Sequence, residues 1–66
     1  MIKQALELKT GDVVRVEYGD YDNWVNFMVD RVERLEKMVC AKCHYGEIVS
    51  ELCFDLNEKI EVVEHE

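Results

Sequence analysis

The chain has no proline and only three glycines among its 66 residues. Nothing in it reads as a linker or a low-complexity segment, and one domain over residues 1–66 is expected. It has no run of about 18 apolar residues, so the pattern offers no transmembrane helix. The opening Met1-Ile2-Lys3-Gln4-Ala5-Leu6-Glu7 carries no signal-peptide hydrophobic region;. A cytoplasmic, reducing setting with free thiols is therefore expected for the three cysteines;. Bases are also scarce. Eight stand against fifteen acids, a net charge of −7. Phosphate contacts need a basic surface, so direct nucleic-acid binding is not expected, whereas docking onto a basic protein partner is.

Apolar residues make up 48% of the sequence, enough for a core. A protein of this length buries only about 60% of its unfolded surface, so that core is small. Residues 2–8 suggest a short helix with Ile2, Ala5 and Leu6 on one side, ended by Thr10-Gly11-Asp12. Val13–Tyr18 alternates as a strand, with Val14, Val16 and Tyr18 on one face. Gly19-Asp20-Tyr21-Asp22-Asn23 has turn composition.

Trp24–Leu35 supports two readings. Val25, Phe27 and Val29 alternate as in a strand, while Val25, Met28, Val29, Val32, Leu35 and Val39 fit a helical stripe. Enrichment in β-branched and aromatic residues favours the strand, with 30–37 open between strand and helical turn. From Met38 the pattern sharpens into a hairpin. Gly46-Glu47 suits a two-residue type II′ turn. That turn pairs Tyr45 with Ile48, Cys43 with Ser50, Ala41 with Leu52 and Val39 with Phe54 on an apolar face. Lys42 then faces Glu51, and Cys40 faces Cys53, on the other. Asn57-Glu58-Lys59 turns the backbone into a last strand at Ile60–Val63. The sum is a mainly β fold, a five-stranded SH3- or Sm-like barrel with a short N-terminal helix. The alternative is an α+β fold, with a helix at about 24–37 packed on a three-stranded antiparallel sheet.

Cys40-Ala41-Lys42-Cys43-His44 is C-x-x-C-H, the string of covalent haem attachment and half of a zinc site. The hairpin argues against both. Successive strand residues point to opposite faces, so Cys40 and Cys43 diverge, and His44 lies roughly 13 Å along the strand from Cys40. No metal or other cofactor is expected. Were the hairpin replaced by a knuckle, Cys40, Cys43, Cys53 and His44 would be the ligands of a zinc module. Cys43 reads as a buried core residue, and Cys40 and Cys53 as cross-strand neighbours able to join under oxidation. Cys43 and His44 face opposite ways, which denies the thiol a base, and no carboxylate pair sits in a recognisable frame. The protein is expected to be non-enzymatic.

The order of elements resembles a family. A short helix with Ala5 leads into Val14-Arg15-Val16-Glu17-Tyr18. Met38-Val39-Cys40-Ala41-Lys42-Cys43-His44-Tyr45-Gly46-Glu47 follows, and then Phe54-Asp55-Leu56 and Ile60-Glu61-Val62-Val63-Glu64. By pattern over nearly the whole sequence this is similar to the WYL domain, a small barrel of bacterial and phage regulators. Lys37, Met38 and Val39 stand where that family has Trp-Tyr-Leu, and Asp55 where it places a basic residue. The resemblance implies the barrel and, as one alternative, a sensor of a nucleotide or small ligand.

The principal expectation is a small acidic interaction module of the size and charge of phage-type inhibitors or regulators, docking on a basic, nucleic-acid-handling partner. Its candidate contacts are Asp20, Tyr21, Asp22 and Trp24 in and beside the long turn, with Glu47 and Glu51 on the hairpin. For Trp24 and Tyr21, ordinary packing at the barrel end is the competing role. Unpaired edges in so short a barrel also allow a homodimer.

Overall fold

The computed structural model describes residues 1–17 and 23–63. Six strands form among them: β1 (Ile2–Gln4), β2 (Val13–Glu17), β3 (Trp24–Arg34), β4 (Met38–Tyr45), β5 (Ile48–Asp55) and β6 (Lys59–Val63). They build one antiparallel sheet in the order β1-β6-β2-β3-β4-β5.

The β4–β5 hairpin has the register set by its alternation and its turn. Tyr45 pairs with Ile48, Cys43 with Ser50, Ala41 with Leu52, Val39 with Phe54, Lys42 with Glu51 and Cys40 with Cys53. Gly46 takes φ 59°, a left-handed conformation that costs glycine little;. A one-residue slip would turn Lys42 and Glu51 into the core, which is why the register is strongly specified.

Three expectations are corrected. The N-terminal helix does not form. Ile2, Lys3 and Gln4 pair with Glu61, Ile60 and Lys59, and only Ala5–Glu7 winds into a 3₁₀ turn. An isolated helix of seven residues is too short to hold in water, whereas a strand added to β6 gains ladder bonds at once. The 24–37 helix of the α+β alternative is absent too, because β3 is strand from Trp24 to Arg34. The five-stranded closed barrel is replaced by an open six-stranded sheet with β1 and β5 at its edges. Phe54 of β5 and Ile60 of β6 line one shallow groove, so the sheet curls without a ladder closing it.

One bulge governs β3. Val29 pairs with Cys43 and Arg31 with Lys42, leaving Asp30 as an extra residue;. The inward set on β3 is therefore Val25, Phe27 and Val29 before the bulge and Val32 after it, a jump of three. Phe27, Val29, Val14, Val39, Ala41, Cys43, Ile60 and Val62 are buried in one core with Ala5 and Leu8. Leu52, Phe54 and Leu56 pack partly buried against it.

The turn before β2 is tied down by Asp12. Its carboxylate accepts from the Lys9 N–H at 3.1 Å and meets Lys3 Nζ at 3.3 Å, while its backbone carbonyl oxygen accepts from Val29 N–H at 2.8 Å. Asp12 is buried among the core elements, and these partners satisfy it;.

Candidate interaction surface

β3 and β4 run antiparallel, with Met28 beside His44 and His44 beside Val49. This register brings the start of β3 and the Gly46–Glu47 turn to the same end of the sheet. The apolar side chains left exposed here are Trp24, Met28, Tyr45, Ile48 and Val49. Val49 is 77% exposed and Trp24 51% exposed. Met28, His44 and Val49 form a cross-strand row on the outer face, apolar at both ends. Tyr45 is anchored edge-on against the buried Phe27, with ring centroids 6.5 Å apart and planes at 73°. One ring face of Trp24 carries the Arg15 guanidinium, 5.3 Å from the centroid;.

Carboxylates lie at this end too. Glu17 pairs with Trp24 across β2–β3. Glu47 is exposed in the turn, and Glu51 is exposed on β5 opposite Lys42. Asp30, aimed by the bulge, holds His44 Nδ1 at 2.6 Å from its Oδ2.

Of the sequence candidates, Trp24 and Glu47 lie at this end and Glu51 beside it; Asp20, Tyr21 and Asp22 fall outside the described residues. Met28, Tyr45, Ile48 and Val49 were missed. The signal for Val49 was present: it is the one apolar residue on an outer-face register otherwise occupied by Glu51, Cys53 and Asp55. Tyr45 and Ile48 lie on the apolar face to which they were assigned, but they are exposed there because the core ends one pair short of the turn.

The cysteines and His44 do not converge on one point. Cys43 is wholly buried on the inner face, its Sγ donating weakly to the Ser50 carbonyl oxygen at 3.5 Å. Burial pushes its thiol pKa up, and the Asp30 charge adds to the effect;. His44 faces the other way, toward Asp30. Cys40 and Cys53 are joined by a disulfide, where free thiols were expected. Among the described residues no three His, Cys, Asp or Glu side groups stand together as a metal site, and no helix is long and apolar enough to cross a membrane.

The fold and this end together describe a small, all-antiparallel β domain with several exposed apolar side chains and carboxylates towards one end of its sheet. No family model, no curated protein and no solved structure matches the sequence, so the likeness to WYL domains rests on the residues quoted for it.

Proposed function

We propose that this protein is a non-enzymatic interaction module that docks on a basic surface of a protein handling nucleic acid, as an inhibitor or regulator. The observation that carries the reading is the exposure of Trp24, Met28, Tyr45, Ile48 and Val49 towards one end of the sheet, Met28 and Val49 on its outer face and Tyr45 and Ile48 on its inner face, with Glu17, Glu47 and Glu51 exposed near them, on a molecule of net charge −7. The exposed apolar side chains supply contact area, with Trp24 and Tyr45 of the types that dominate binding energy. The surrounding acids steer a cationic partner and repel nucleic acid from the same surface.

The test is affinity capture from lysate at low and high salt, with wild type beside Trp24→Ala and Val49→Glu. A partner rich in surface Lys and Arg should be recovered at low salt. Its yield should fall at high salt and fall at least about tenfold in both variants, as for loss of a hot-spot residue. Recovery of no partner, or of one indifferent to salt and to both variants, overturns the proposal.

A further inference from the structure

Cys40 and Cys53 stand directly opposite on neighbouring strands, with Cα atoms 4.0 Å apart. Their settings differ. Cys40 lies on β4, inside the sheet between β3 and β5, and is 8% exposed. Cys53 lies on the edge strand β5 and is exposed. Glu33 sits across β3–β4 from Cys40, and Glu51 and Asp55 flank Cys53 on its own face, with Lys42 opposite Glu51. Cys43 is fully buried on the other face, removed from exchange with either sulfur.

We infer that Cys40 and Cys53 form a reversible thiol–disulfide exchange site entered at Cys53, and that its exchange partners are small cationic thiols and disulfides. In the forward direction a thiolate RS⁻ attacks Cys53 Sγ. The Cys40–Cys53 bond breaks, an RS–S bond to Cys53 forms, and Cys40 leaves as thiolate. A second RS⁻ then attacks the sulfur of RS, releasing RSSR and Cys53 thiolate. Two electrons pass from two thiols to the protein disulfide, and each protein thiolate takes a proton from water. The reverse direction oxidises the dithiol through the same mixed disulfide. Access decides the entry sulfur, because an attacking thiolate must approach in line with the bond it breaks. The strand pairs on either side of the two cysteines keep the reduced sulfurs adjacent, so closure of the mixed disulfide is intramolecular and fast. The acids beside Cys53 and the net charge of −7 favour a cationic reagent over an anionic one;.

The experiment uses the whole protein, reduced and freed of reductant, with cystamine and oxidised glutathione as probes and peptide mass spectrometry as readout. Wild type should return to the intramolecular disulfide, releasing two reagent thiols per molecule, with amide NMR dispersion kept in both redox states. Cys40→Ser should stop at a mixed disulfide on Cys53. Cys53→Ser should label Cys40 at least about tenfold more slowly, as expected from access. Because either variant could perturb folding, reduced wild type is also treated with limiting iodoacetamide, which should mark Cys53 first. Cystamine should outrun oxidised glutathione, and about 1 M salt should close most of that gap. First labelling at Cys40 or Cys43, collapse of the amide dispersion on reduction, or equal rates for the two reagents at low salt would each overturn the inference.

Discussion

Asp30 and His44 meet across β3 and β4 with 2.6 Å between Oδ2 and Nδ1, at the bulge between Val29 and Arg31. In a regular ladder Asp30 would stand opposite Lys42. The extra residue leaves that position to Arg31, and the Asp30 carboxylate meets the imidazole of His44, the partner of Met28 two residues before it. Both side groups remain well exposed. Pairs of this kind contribute about 0–1 kcal/mol. A double-mutant cycle of Asp30→Ala and His44→Ala, read by urea unfolding, should return a coupling within that range that shrinks with salt. A coupling well beyond it would mean that the pair organises the bulge itself.

Cys43 gives the protein a pH dependence at the alkaline end. Its folded-state pKa is raised, by burial first and by Asp30 second, so the native state holds the thiol proton more tightly than the unfolded state does. The stability this contributes is fully present below the unfolded thiol value of about 8.5 and is lost as pH rises through the folded value. The limiting slope for one proton is about 1.4 kcal/mol per pH unit. Urea unfolding of wild type and Cys43→Ser, with the disulfide intact, should diverge in slope only above about pH 8.5. Curves that stay parallel well into the alkaline range would refute the assignment.

Asp12 ties the turn before β2 to β1 through Lys3 and to its own turn through Lys9. Asp12→Ala leaves the Lys9 N–H, part-buried in an otherwise exposed turn, without its acceptor, a loss of about 0.5–1.5 kcal/mol;. For a domain of this size that is a fall of about 4–8 °C in Tm per kcal/mol. Asp12→Asn, which keeps an acceptor oxygen, should lose less. Equal Tm values for the two variants would show that the ion pair, not the turn bond, matters.

Among the described residues Phe27 is the largest that is fully buried, and it packs edge-on against Tyr45. Phe27→Ala should cost about 3–5 kcal/mol. A domain of this length has only about 3–10 kcal/mol in total. The variant should be largely unfolded at 37 °C by circular dichroism, while Tyr45→Phe, which keeps the ring contact, should unfold close to wild type. A folded Phe27→Ala would show that the core collapses around the gap.

Sequence alone determined the β4–β5 hairpin down to its residue pairs. There the alternation, the glycine turn and the Lys42–Glu51 penalty for slipping all act locally and agree. It likewise determined that Cys40 and Cys43 diverge, because parity along a strand needs no tertiary information. In β3 the same local logic was blurred by the bulge. The three-residue step from Val29 to Val32 looks helical in one dimension, and only pairing with β4 shows it to be a strand with one residue extra. The N-terminal segment took its conformation from β6, at the far end of the sequence, so its own helical spacing could not decide it. The candidate surface was half legible. Trp24, Glu47 and Glu51 stood out by type and position. Tyr45 and Ile48 are exposed only because the core stops short of the hairpin turn, and where a core stops is a property of the packed sheet.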